Sequence, residues 1–184
     1  ERPEMTGLAF RHPALDFHST HLYEEGTIDH PADTVAAAVA VGRLVREALR
    51  EVGDRRPFLD TEHGPIHTFK DHRRTLAEAF DDEYFRHIQW AHLASGGAGG
   101  GMRWPNRHPH ALTRGMRAAQ RALSGFLPLL DWRRFRRRNW NDEVRADRAG
   151  CAVFASGDAG QAVAWVLRTD RLDRTGRVDA GAEP

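Results

Sequence analysis

Cysteine is almost missing from this chain: Cys151 stands alone among 184 residues. A single thiol excludes an internal disulfide and any thiolate metal cluster. Lysine is as scarce, since all basic residues but Lys70 are arginine, a bias that GC-rich coding explains more simply than a functional demand. The formal charge is only +1. No apolar run approaches the roughly 20 residues that cross a bilayer, so a soluble chain without a membrane partner is expected. The first dozen residues hold no charged segment followed by an apolar run, and no signal peptide is expected there. The one dense basic run, Arg133, Arg134, Arg136, Arg137 and Arg138 around Phe135, is a candidate phosphate contact. A solvated helix end, where cations suit the dipole, accounts for it better, and no nucleic-acid partner is expected.

What is present is an alternation of strand-like and helix-like segments, each bounded by turn residues. The run from Ala14 to His18 reads as a strand continuing towards His21 and Tyr23. A helix is predicted from Pro31 to Val52, with Val35, Val39, Leu44, Ala48, Leu49 and Val52 as its apolar stripe. Asp33 and Thr34 are cap candidates, Arg43, Arg46 and Arg50 face water, and Gly53 ends it. Pro57 to Asp60 reads as a second strand closed by Gly64 and Pro65, and a polar loop follows from Ile66 to about Glu78. Asp81 and Asp82 open a second helix in which Phe85, Ile88, Gln89, His92 and Leu93 recur at helical spacing. The glycine-rich stretch from Ser95 to Gly101 breaks it and leads into a third strand at Met102, Arg103 and Trp104. A third helix is predicted from Thr113 to Asp131, with Met116, Ala119, Leu123, Phe126, Leu127 and Leu130 on one face.

Strand starts near residues 14, 57 and 101 give a repeat of about 43 residues, the pattern of parallel βαβ units. Beyond Arg138 the texture becomes β-like, with candidate strands from Cys151 to Ala155 and from Ala162 to Leu167 about a turn at residues 157–160. Two regions are expected, 1–138 with the βα units and 139–184 as the start of a small β domain with a polar tail.

Chemistry-bearing residues cluster where each strand would end: His18, His21 and Tyr23 after the first, Glu62 and His63 after the second, Arg103 and Trp104 after the third. In a parallel barrel those ends converge on one face, where active sites are built. A carboxylate, an aromatic platform and a His/Tyr pair suit a sugar: Glu as nucleophile or acid/base, Trp stacking on a pyranose, His and Tyr holding hydroxyls.

At these residues the chain resembles a family. The segment Phe58-Leu59-Asp60-Thr61-Glu62-His63-Gly64-Pro65 is similar to the seventh strand of the retaining (β/α)₈-barrel (TIM-barrel) glycoside hydrolases, the clan of endo-glucanases, β-mannanases and β-galactosidases. Asp16-Phe17-His18-Ser19-Thr20-His21-Leu22-Tyr23 resembles the sixth strand, and the segment from Trp90 to Gly100 resembles the helix and turn leading into the eighth. The resemblance implies an α/β fold consisting of the last three βα units of a TIM barrel and part of a small β domain. It implies that Glu62 is the catalytic nucleophile, with His21, Tyr23, His63, Arg103 and Trp104 contacting a carbohydrate substrate, and that no cofactor is needed. The clan's acid/base is a Glu preceded by Asn on the fourth strand; no Asn-Glu dipeptide occurs here. The first five units would come from an N-terminal barrel half or another chain, and the whole protein would be secreted or periplasmic.

Simpler accounts exist for each residue. Glu62 would be a strand-end carboxylate paired with an arginine such as Arg103, Trp104 a plain barrel-lining aromatic, and His21 and Tyr23 packing residues. The histidines invite a metal reading, yet His63 and His67 flank Gly64-Pro65, and no thiolate or acidic partner completes either that pair or His108 and His110 at ligand spacing. No metal is expected. His87 and His92 read as ordinary helix residues, and residues 96–101 as a tight connection, because a phosphate cradle needs the reverse order of strand and helix. Rival functions are an inactive incomplete barrel, a carbohydrate-binding module without turnover, and a βαβ enzyme pairing Glu62 with His63 or His67.

Overall fold

The computed structural model describes residues 3–53, 56–65, 76–99, 112–134, 136–179 and 181. Their elements run α1 (Pro3–Arg11), β1 (His18–Leu22), α2 (Ala36–Val52), β2 (Phe58–His63), α3 (Glu78–Ala94) and α4 (Arg114–Phe126), which ends in a 3₁₀ turn at Leu127–Leu129. Then follow β3 (Arg138–Asn139), β4 (Cys151–Gly157) and β5 (Ala162–Arg168). The fold is mixed α/β with two small sheets: β1 and β2 pair in parallel, and β3, β4 and β5 form an antiparallel sheet in that order. The described residues form no closed barrel. The expected third strand at Met102–Trp104 and most of the polar loop after Ile66 lie outside them.

Each helix is set by local chemistry and then by what it buries. Asp33 Oδ1 accepts the N–H of Val35 at 2.8 Å and of Ala36 at 2.6 Å, satisfying donors that the first turn of α2 leaves open. Gly53 ends the helix in the left-handed region at φ 66°, where its missing Cβ removes the steric cost. The buried side of α2 is Ala37, Ala38, Val41, Gly42, Val45, Ala48, Leu49 and Val52. Val39, expected in the stripe, is instead 44 % exposed. It sits about 200° of helical turn from Val41 and so on the opposite side. Arg43 and Arg46 also depart from free solvation, because Arg43 pairs with Glu24 and Arg46 with Asp142.

The first strand begins later than its sequence suggests. The chain turns at residues 12–15, where Leu15 N–H donates to His12 O, so Leu15 and Phe17 stay exposed and pairing starts at His18. Strand β2 runs longer than expected, through Thr61 to His63. Helix α3 begins three residues before Asp81 and is buried over most of its length, including Asp81, Glu83, His87, Gln89 and His92. Polar side chains survive there because they are bonded. Glu83 Oε1 accepts Thr34 Oγ1 at 2.9 Å and Val178 N–H at 2.7 Å, and His87 Nδ1 meets Thr34 O at 3.0 Å. Helix α4 is capped by Thr113, whose Oγ1 accepts Met116 N–H at 3.1 Å, and it buries Met116, Ala119 and Leu123.

The C-terminal hairpin keeps a regular register from Cys151 opposite Arg168 to Gly157 opposite Ala162. Its loop is tied by Asp158 Oδ1, which accepts Gly160 N–H at 2.7 Å and Gln161 N–H at 3.0 Å. Phe154, Val163 and Leu167 join the same core as α2 and α3. The approach is close: a Cβ on Gly42 would lie 2.6 Å from the Phe154 ring, so glycine is what lets the hairpin seat on the helix.

Candidate functional site

The C-terminal ends of β1 and β2 lie side by side, with His21 opposite Glu62 and Leu22 opposite His63. Parallel pairing makes this convergence unavoidable, because both strands run the same way and finish at the same edge. Tyr23, one residue beyond β1, donates its hydroxyl to Glu62 Oε1 at 2.6 Å. His21 Nδ1 approaches the same oxygen at 3.4 Å. The two rings meet edge to face, 6.3 Å between centroids. Oε1 therefore takes both contacts, and Oε2 has no hydrogen bond with any described residue. The Glu62 side chain is 15 % exposed, while His21 is 52 % exposed. The carboxylate is sheltered but open on one side.

The electrostatics around this pair are negative. Burial raises the Tyr23 phenol well above its ordinary value, and the bond to Glu62 with the charges of Glu62, Asp29 and Asp60 push the same way. Tyr23 thus stays protonated and acts as a hydrogen-bond donor. Asp60, two residues before Glu62, is buried and its carboxyl is pushed up to about 7, chiefly by desolvation and then by the nearby Glu62 charge, against the bonds it accepts from the Glu62 and Leu22 backbone. Two carboxyls on one strand end therefore differ in environment, one enclosed and one open.

Behind the strands, His92 of α3 is fully buried. Its Nε2 accepts the N–H of Asp60 at 3.1 Å, and its Nδ1 bonds Gly99 O. An Nε2 that accepts and an Nδ1 that faces a carbonyl define the neutral Nδ1–H tautomer. Burial holds the imidazole in that state, lowering it to about 4. Ala98 N–H donates to Phe58 O at 2.7 Å, so the glycine-rich turn lies against β2 as well. His92 is consequently a brace between helix, strand and turn.

Of the residues predicted for the site, Glu62, Tyr23 and His21 come together. His63, expected among the sugar contacts, is fully buried. Arg103 and Trp104 lie outside the described residues, as do His67, His108 and His110. Among the described residues no group of three or more His, Cys, Asp or Glu is placed to hold a metal ion, and no helix is long and apolar enough to cross a membrane. A cleft of about 610 Å³ between β1 and helices α1 and α2 includes His21 and Tyr23 in its wall with Phe10, Leu44 and Ala48, but Glu62 does not line it.

Neither Asp60 nor His92 stands out as a site residue in the sequence, where His92 reads as an ordinary helix residue. An available signal for Asp60 was an acidic residue inside a short strand flanked by apolar Phe58 and Leu59. Strand alternation puts its side chain on the same face as the apolar Phe58. His92 offered no such signal. Comparison with protein-family models, with curated proteins and with solved structures finds no match to this chain.

Proposed function

We propose that the chain is the C-terminal part of a retaining glycoside hydrolase acting on a β-linked glucan or mannan-type carbohydrate, with Glu62 as the nucleophile. The observation that carries this reading is the Tyr23–Glu62 bond at adjoining parallel strand ends, which occupies Oε1 and leaves Oε2 open. A nucleophile needs one oxygen aimed at the anomeric carbon and the other held, because free rotation wastes the attack geometry. Tyr23 supplies that hold, and His21 offers a polar edge to a neighbouring hydroxyl.

The reaction balances with one further carboxyl. Glu62 bonds the anomeric carbon as the glycosidic C–O bond breaks, and a carboxylic acid protonates the departing oxygen. That group, now a carboxylate, removes a proton from water, whose oxygen displaces Glu62 and restores both residues. Two carboxyls about 5 Å apart are required, and in this reading the second belongs to an N-terminal barrel half or a second chain. Arg103 and Trp104 belong to the same proposal as substrate contacts, with Trp104 as the sugar platform, whereas the fully buried His63 drops out of it. The barrel architecture is part of it too.

The test is covalent trapping. A 2-deoxy-2-fluoro glycoside is incubated with the chain together with the segment bearing the acid/base Glu, and the labelled peptide is mapped by mass spectrometry. The adduct is expected on Glu62. A label on another carboxylate, with Glu62 unmodified, sinks the assignment.

A further inference from the structure

The ladder between β1 and β2 breaks at one point. Thr20 lies opposite Asp60 and His21 opposite Glu62, so Thr61 has no partner on β1. A bulge of this kind takes backbone groups off the ladder and re-aims the side chain that follows. Here the displaced groups are recovered by side chains. Oδ1 of Asp60 accepts the N–H of Leu22 at 3.3 Å and of Glu62 at 3.1 Å, and Thr61 Oγ1 donates to Thr20 O at 3.4 Å. The main chain of Asp60 is fixed from behind by its N–H bond to His92 Nε2.

Asp60 is only 2 % exposed, and its Oδ2 has no hydrogen-bond partner among the described residues. Enclosing a carboxyl with one oxygen unmatched costs stability that an apolar residue would not. A regular strand would need no such side chain, so the residue earns its place through the bulge. Without the bulge, the alternation of side chains along β2 would put Glu62 in phase with the enclosed Asp60 and Phe58.

We infer that Asp60 is a positioning residue: its Oδ1 clips the bulge at Thr61 to both strands and thereby holds Glu62 on the Tyr23 hydroxyl. The clip works in either protonation state, because a proton on the carboxyl sits on Oδ2 and leaves Oδ1 an acceptor. The titratable groups that face it are Glu62 and Tyr23 at the strand ends and His92 from α3. The catalytic consequence rests on the reading of Glu62 as nucleophile; the positional one does not.

The chain has two tyrosines, Tyr23 and Tyr84, so ¹³Cζ-tyrosine labelling resolves Tyr23 by NMR. Asp60→Asn keeps the Oδ1 acceptor and removes the charge; Asp60→Ala removes both. In the unchanged chain and in Asp60→Asn, Tyr23 should remain un-ionised through about pH 11, above the ordinary phenol value of about 10. In Asp60→Ala it should ionise at about pH 10, and the Leu22 and Glu62 amides should exchange with solvent about tenfold faster or more, as expected for opened hydrogen bonds. An Asp60→Ala chain that folds and keeps Tyr23 and both amides as in Asp60→Asn overturns the inference. If Asp60→Ala does not fold, a through-hydrogen-bond coupling from the Glu62 amide nitrogen to the Asp60 carboxyl carbon in the unchanged chain decides: its presence supports the clip and its absence overturns it. Trapping of a carboxylate other than Glu62 sinks the assignment of Glu62 as nucleophile and leaves these positional readouts standing.

Discussion

The two sheets of this protein solve the same packing problem in opposite ways. The β4–β5 hairpin is regular over its whole length and buries Phe154, Ala155, Val163 and Leu167, with Ser156 as its one buried polar side chain. The β1–β2 pair buries His18, Asp60 and His63 and breaks its register at Thr61. Regularity in the hairpin maximises apolar burial and needs no charged neighbour. In the parallel pair, an enclosed carboxyl is costly to bury, and the Glu62 carboxylate lies against the Tyr23 phenol. Local rule-breaking concentrated at one strand end is what a functional site is expected to show.

The largest effect that separates the two regions is on chemistry. Glu62→Gln should abolish trapping and lower turnover at least about 10⁴-fold, the scale of losing a nucleophile, with little change in the thermal midpoint. Steady-state rates beside a melting curve check both halves. A Glu62→Gln chain that still turns over transfers the chemistry to another residue.

The hairpin should respond the other way. Phe154→Ala empties a site in the shared core and should cost about 3–5 kcal/mol, measured by urea unfolding, while Tyr23 keeps its raised ionisation. A loss confined to the hairpin, with α2 and α3 unfolding separately at the original midpoint, would break the claim that one core joins them.

Acid and base act on the parallel pair in opposed directions. The Asp60 carboxyl is raised to about 7 from 3.8, so the folded state binds its proton more tightly. That stability is fully present below about pH 4 and is lost as pH rises through about 7, by up to about 4 kcal/mol. His92 is lowered from 6.5 to about 4, so its contribution is present above 6.5 and lost as pH falls through about 4. Between those limits the slopes oppose one another. Asp60→Asn removes the first, so its stability relative to the unchanged chain should rise from pH 4 to pH 7, read from urea midpoints across the range. His92→Gln should give the reverse trend. A constant offset across that range in Asp60→Asn would mean that Asp60 does not titrate there.

The smallest effect is at the seat of the hairpin. Gly42→Ala gains about 1 kcal/mol of helix propensity but drives a methyl to within 2.6 Å of the Phe154 ring. A net loss of about 1–2 kcal/mol is expected from overpacking. Combining it with Phe154→Ala should turn the loss into a gain, because the clash is gone; a double-mutant cycle in urea reads the coupling. Two changes that simply add would show that the glycine is not there for the ring.

Much of this was written into short stretches of chain. Asp33 and Gly53 bracket α2, Thr113 starts α4, and residues 158–161 turn the hairpin, because caps and turns are made by groups within a few residues of one another. The meeting of Tyr23, His21 and Glu62 was legible as well: if two parallel strands end in polar residues, those residues share an edge. Other features had no local signature. The bulge at Thr61 exists relative to a strand 38 residues earlier, counted from Leu22 to Asp60. The burial of His63 and Val39's exposure, the tautomer of His92 and the raised carboxyl of Asp60 each depend on which distant surface covers the side chain. Hydrogen bonds to near neighbours are fixed by order along the chain, whereas desolvation and register are fixed by what folds over it.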